Sequence, residues 1–305
     1  MSDKLDEVSF EELCKAALSY WRYYLILGLV ITLISTLVKL YQTSEYRSEI
    51  LLMPNPELSQ SPTNGLGQLG GLSNLAGIQL GPRQGVDEVT LALEILRSRR
   101  FILDYVSQND IGYKLIFASH WDRENDRVLY RELSEIEAKF KFEELRAKGE
   151  ITDTKIWKEF DSIINVSRNS STGVITVSLQ FISPRLARDW LDKLIHDLNE
   201  EMRNRTKISA SQNLSILEAQ IRETQNTNTE IILYNMMERQ LQKIMLADSR
   251  QDYVLSVIDD AYYPDAPFGM SMILVVLLAF VSTAFFSFFF VLFIFIFLGR
   301  PIRVE

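Results

Sequence analysis

Residues 183–198 read SPRLARDWLDKLIHDL, and the helical pattern they begin continues with few interruptions to about Ala247. Ser183 followed by Pro184 is a cap with proline at the first helical position, a pairing that starts helices because that residue needs no N–H partner. Trp190, Leu191, Leu194 and Leu198 form a strong apolar stripe. The stripe fades between Arg203 and Asn213, returns at Leu214, Leu217 and Ile221, fades at Gln225 to Thr229, and returns from Ile231 to Met245. About 65 residues of continuous helix would reach roughly 100 Å. So thin a stripe cannot be the core of a globule. It predicts a protruding arm, a coiled-coil element or a subunit-packing surface. Residues 226–229 are poor helix formers, so a break or bend is expected there.

Upstream lies a predicted hairpin. Ser162 to Arg168 is one arm, Asn169 to Gly173 the turn, and Val174 to Phe181 the other, with Ile175, Val177, Leu179 and Phe181 alternating. Further upstream, Asp87 caps a predicted helix to about Ser107, whose apolar side is Val89, Leu93, Leu96, Leu103 and Val106. A second predicted helix runs from about Asp122 to Lys148, with Leu129, Leu133, Ile136 and Phe140 on one side and Gly149 ending it. Glu45 to Met53 reads as a strand with Tyr46, Ser48, Ile50 and Leu52 on one face; Pro54 and Pro56 end it. Downstream, Tyr253 to Ile258 alternates again before Pro264 and Pro267.

Two apolar runs flank this region. Met270 to Leu298 holds no charge, no Pro and no Gly; Leu25 to Val38 is shorter, with Trp21, Tyr23 and Tyr24 before it and Lys39 and Tyr41 after. Roughly 20 apolar residues cross a hydrocarbon core, so both runs are expected to be transmembrane helices, the first with the help of its flanks. The first reads as a retained anchor, since its leader carries Glu7, Glu11 and Glu12 and no cleavage site follows. Arg300 and Arg303 follow the second run, while Asp252, Asp259, Asp260 and Asp265 precede it. That bias places both termini inside and the bulk of the chain outside the cytoplasm. The expected organisation is a leader at 1–22, a membrane helix at 23–41, an outer domain at 42–269, a second membrane helix at 270–298 and a tail at 299–305. The expected fold class is an α+β membrane protein. In it, two transmembrane helices flank a periplasmic domain with a membrane-proximal mixed sheet and a very long protruding helix.

Composition narrows the chemistry. The 305 residues carry a formal charge of −8 and no long basic block, which argues against nucleic acid as a partner. The single cysteine, Cys14, leaves no internal disulfide and no Cys/His zinc pattern. His120 and His196 are far apart in sequence and read as ordinary surface or half-buried residues rather than ligands or bases. The loop from about Glu57 to Gly85 is punctuated by Gly65, Gly67, Gly70, Gly71, Gly77 and Gly81. No glycine is followed by lysine, so it is not a P-loop. Its interleaved leucines suit packing on a partner such as a neighbouring subunit. Acidic residues such as Glu135, Glu137, Glu143 and Glu144 alternate with Lys139 and Lys141, as on a solvated face. No catalytic, metal or cofactor site is expected.

The segment Tyr253-Val-Leu-Ser-Val-Ile-Asp-Asp-Ala-Tyr-Tyr-Pro-Asp-Ala-Pro267, the strand Glu45–Pro56 and the order of elements together resemble the polysaccharide co-polymerases, the bacterial chain-length determinant (Wzz-type) proteins. The resemblance implies a non-enzymatic, ring-like homo-oligomer of the inner membrane. It would set the length of O-antigen or a related glycan, with the polysaccharide polymerase and the growing lipid-linked glycan as partners. With the glycines of the Gly-rich loop, the candidate partner-contact or structural residues are Asp259, Pro264, Pro267, Gly70, Gly71 and Gly77. Family members usually carry further prolines and a basic residue where this chain has Gly269-Met270-Ser271. The alternatives are an adaptor or activator of a separate cytoplasmic tyrosine kinase, or of a polysaccharide export complex. The latter asks for two antiparallel helices with a lipoyl-like β domain between them.

Overall fold

The computed structural model describes residues 21–41, 43–55, 88–249 and 252–298. Two compact units emerge: residues 45–268, and the flanking segments 1–44 with 269–305. In the flanking unit the described elements are α1 (Trp21–Tyr41) and α9 (Met272–Leu298). Thr283 Cγ2 sits 3.7 Å from where a Cβ on Gly28 would lie, so the two helices approach closely at that glycine.

The expectation of two transmembrane helices is corrected here. Among the described residues no helix is long and apolar enough to cross a membrane. The multi-pass inner-membrane placement, with cytoplasmic termini and a periplasmic domain, falls with that expectation.

The larger unit is mixed α/β. Its main sheet has the order β4–β5–β1–β6, from β1 (Tyr46–Pro54), β4 (Ile164–Arg168), β5 (Ile175–Phe181) and β6 (Leu255–Asp259). All three pairings are antiparallel, so the expected mixed sheet is also corrected. Tyr46, Ser48, Ile50 and Leu52 are buried, as the period-2 pattern requires, and they pair with Phe181, Leu179, Val177 and Ile175. The β4–β5 turn closes with Gly173 at φ 74, where a side chain would be strained.

Helix α7 (Pro184–Glu223) lays Trp190, Leu191, Leu194, Ile195, Leu198 and Met202 into the core. Ser183 caps it by accepting from the Leu186 N–H. The Phe181 and Trp190 rings stand 4.5 Å apart. Beyond Met202 only Ala210 and Leu217 of this helix are buried, so its outer half leaves the core. The 65-residue helix is not continuous. It ends at Glu223, and after residues 224–226 helix α8 (Thr227–Ser249) runs back. An ion pair joins Lys207, near the middle of α7, to Asp248, at the end of α8, which fixes the two as an antiparallel hairpin. The break falls beside the weak stretch Asn226–Thr229.

The remaining elements form a helical layer. Ser98 splits the helix expected to start at Asp87, itself outside the described residues, into α2 (Glu88–Arg97) and α3 (Arg99–Gln108). Its hydroxyl accepts from the Phe101 N–H. Then come α4 (Gly112–Phe117), the small hairpin β2 (His120–Asp122) and β3 (Arg127–Leu129), α5 (Glu135–Ala147) and α6 (Asp153–Ile163). The helix expected from Asp122 therefore begins only at Glu135. A capping box between Ser134 and Glu137 starts it, and Gly149 at φ 75 ends it. Ile136 and Phe140 are exposed, while Ala138 and Phe142 are buried.

The turn before α5 is strained. Arg131 (φ 28) and Glu132 (φ 40) stand between Tyr130 and Leu133, whose N–H donates to the Tyr130 carbonyl at 2.6 Å. A two-residue turn with both central residues left-handed favours Asn-Gly. Replacing Arg131 by Asn and Glu132 by Gly together is expected to stabilise the protein by about 1–2 kcal/mol, read from the shift in urea midpoint.

Candidate functional site

The segment from β6 to Phe268 crosses the face of the fold as a strap, and polar side chains fix each step of it. Asn199, 2% exposed on the core side of α7, donates from Nδ2 to the Leu255 carbonyl at 2.9 Å. Its Oδ1 accepts from the Val254 and Leu255 N–H groups, each at 3.0 Å. Asn55 donates from Nδ2 to the Tyr253 carbonyl at 3.0 Å, and its N–H reaches the Val254 carbonyl at 3.0 Å. Nearer the start of α7, Arg188 and Asp192 hold Ala261 by both backbone groups. Arg188 Nε donates to its carbonyl at 3.1 Å, and Asp192 Oδ1 accepts from its N–H at 3.3 Å. Ser48, fully buried on β1, donates its hydroxyl to the Tyr262 carbonyl at 2.7 Å. At the far end the Phe268 N–H donates to the Glu45 carbonyl at 2.6 Å, and the Arg47 guanidinium lies 5.0 Å from the Phe268 ring centre.

These clamps leave the strap's side chains on show. Tyr262 is 50% and Tyr263 45% exposed, and Asp259, Asp260 and Asp265 are exposed beside them. The β2–β3 hairpin borders this surface. Trp121 stacks edge-on against Tyr46 at 5.1 Å and donates from Nε1 to Asp126 at 3.0 Å, and Arg185 reaches the same carboxylate at 3.3 Å. Desolvation, and then the Asp126 carboxylate, push the Tyr263 hydroxyl above its ordinary pKa, so it stays a neutral donor. Exposed rings among carboxylates and guanidinium groups can bind a polar, ring-shaped or peptide partner. Nothing in this arrangement pairs a nucleophile with a base.

Among the residues expected from the sequence, Asp259 ends β6 opposite Leu51 and faces solvent. Pro264 is buried, whereas Pro267 is exposed. Gly70, Gly71 and Gly77 lie outside the described residues. Asn199, Asn55, Arg188, Asp192 and Ser48 were not anticipated. Asn199 had a visible signal, a polar residue beside Leu198 on the apolar side of α7. Arg188 and Asp192 stand four apart on one helix face, which ordinarily reads as a surface ion pair.

Asp192 gives a test of the clamp. Burial raises its pKa above the ordinary carboxylate value, partly countered by the Ala261 N–H and Arg188. A carboxyl whose folded pKa lies above its unfolded one disfavours folding when ionised. That penalty is absent below the unfolded pKa and complete above the folded one. Asp192→Asn keeps an acceptor for Ala261 and carries no charge. It is expected to melt at or above the parent's temperature at about pH 7, with the gap closing as pH falls through the carboxylate range. Asp192→Ala, which loses the acceptor, is expected to melt lower at every pH.

A second polar feature lies between α3 and α7. A cleft of 310 Å³ is lined by Arg100, Asp104, Gln108, Asp197, Glu200 and Arg205, among others.

No family model and no curated protein matches the sequence. Among solved structures the chain is similar to a full-length bacterial polysaccharide co-polymerase, with 11% identity, a TM-score of 0.33, and coverage of 94% of this chain and 98% of that one. It is also similar to a fragment of WzzB, a polysaccharide co-polymerase from Salmonella Typhimurium, with 13% identity, a TM-score of 0.32, and coverage of 74% of this chain and all of the other.

Proposed function

We propose that this protein regulates the chain length of a surface polysaccharide, O-antigen or a related glycan, without bond chemistry of its own. The observation that carries the reading is the strap. The segment that resembles the chain-length determinants, Tyr253 to Pro267, is held by five polar side chains from two separate parts of the chain, β1 with the residue after it and α7. Tyr262, Tyr263 and three carboxylates are left facing solvent. So much internal hydrogen bonding on a short irregular segment fits a surface that must keep its shape for a partner. The proposed partners are the polysaccharide polymerase, the growing glycan and further copies of this chain. The α7–α8 hairpin supplies a second surface, with Ile208, Ile216, Ile231, Ile232 and Met245 exposed along it.

The hairpin also favours one feature of the export-adaptor reading, two sequence-adjacent antiparallel helices. Only residues 224–226 separate them, which leaves no room for a β domain between.

The test is to express the Tyr262→Ala/Tyr263→Ala variant in cells lacking the native gene and to resolve their surface polysaccharide by size. The expected result is loss of the clustered lengths while the purified variant melts like the parent. Unchanged lengths with a folded variant would remove the strap from the account.

A further inference from the structure

We infer that α7 carries a binding site for a divalent transition-metal ion of the zinc class, formed by His196, Asp197 and Glu200. The inference is independent of the proposed function. One ligand atom from each of the three side chains lies within 4.8 Å of the others. Helical geometry explains why. Glu200 is four residues from His196 and three from Asp197, so its carboxylate falls between the other two on the helix surface. Modest side-chain rotations bring all three onto one ion. The donor set selects the metal: an imidazole with two carboxylates suits zinc and its neighbours, whereas calcium and magnesium take oxygen alone.

Exposed carboxylates alone would be an ordinary solvated face. Two observations separate this cluster from one. The first is the imidazole, which a solvated acidic face does not need. The second is the charge balance of the adjoining cleft, of which Asp197 and Glu200 form part of the wall. Its other carboxylates are already answered: Asp104 faces Arg100 at 3.8 Å, and Glu201 faces Arg205 at 2.6 Å. Glu200 is answered by Arg203 at 3.7 Å, whereas Asp197 has no ion pair among the described residues. The unanswered negative charge of this wall therefore sits on Asp197, next to the imidazole. Three protein donors leave the remaining coordination positions open toward the cleft, as in zinc sites that bind a further ligand.

The experiment is a calorimetric titration of the purified full-length chain, free of any polyhistidine tag, with zinc chloride. Cobalt replaces zinc in a parallel run, so that its visible absorption reports the coordination. The expected result is one saturable equivalent of metal. Affinity should fall about tenfold or more in His196→Ala and in Asp197→Asn/Glu200→Gln. It should hold in His120→Ala and Glu201→Gln, and a large excess of calcium should not displace the zinc. All three ligands lie on the helix surface, so each variant should melt like the parent without metal. The inference is overturned if there is no saturable equivalent, if affinity is unchanged in both ligand variants, if binding is lost in His120→Ala, or if calcium displaces the zinc.

Discussion

Asn199→Leu is expected to cost the larger unit about 3–6 kcal/mol. The asparagine is 2% exposed and makes three hydrogen bonds to the backbone of Val254 and Leu255. Leucine matches its size and would suit the apolar neighbours Leu198 and Met202. The loss is therefore not one of packing. Two N–H groups and one carbonyl would stay buried with no partner, each costing about 1–3 kcal/mol. Asn199→Asp should fall between. A carboxylate can still accept from both N–H groups but cannot donate to the Leu255 carbonyl. Urea denaturation reads the total. Amide exchange should show protection lost first at residues 253–259. A cost below about 1 kcal/mol for the leucine variant would mean that the strap is held by something other than Asn199.

Gly112→Ala is expected to destabilise the protein by about 1–3 kcal/mol. A glycine at the start of α4 would ordinarily gain stability on becoming alanine, by about 0.5–1 kcal/mol. Here a Cβ would lie 2.4 Å from Phe142 Cζ and about 3 Å from both Cε atoms of the ring. Phe142 is 5% exposed in the core beneath α5, so the ring cannot swing away into solvent. Overpacking therefore outweighs the helical gain. A double-mutant cycle separates the two effects. Phe142→Leu alone should cost stability, but in the Gly112→Ala background it should cost less or even help, giving a coupling of about 1 kcal/mol or more. Additive effects would mean that the alanine is accommodated by backbone movement instead.

Local patterns were legible where one residue type did one job. The alternation of Tyr46, Ser48, Ile50 and Leu52, and that of Ile175 to Phe181, predicted buried faces that the sheet uses. Ser183–Pro184 and Gly149 mark helix ends as expected. The stretch from Asp122 to Leu133 misled because Leu129, Leu133, Ile136 and Phe140 keep helical spacing. Its tight turn is also made by Arg131 and Glu132, which carry no turn signal. The Ser134–Glu137 capping box that truly opens the helix was present in the sequence. The reversal after Glu223 could not be read from periodicity, because an apolar stripe looks the same whether the helix runs on or folds back on itself. Strand direction failed for a similar reason: alternation says which face is buried, not which neighbour pairs. The strap's clamps were illegible because each joins residues at least 69 positions apart, except Asn199, whose partners lie 55 and 56 residues on.

Whether this chain sets polysaccharide length is read from the size distribution of surface polysaccharide on a gel from cells with and without the gene. A clustered band pattern is expected to collapse to a short-weighted ladder on deletion and to return when the intact gene is supplied. An unchanged ladder, with altered tyrosine phosphorylation or altered export of another substrate, would contradict the proposed function.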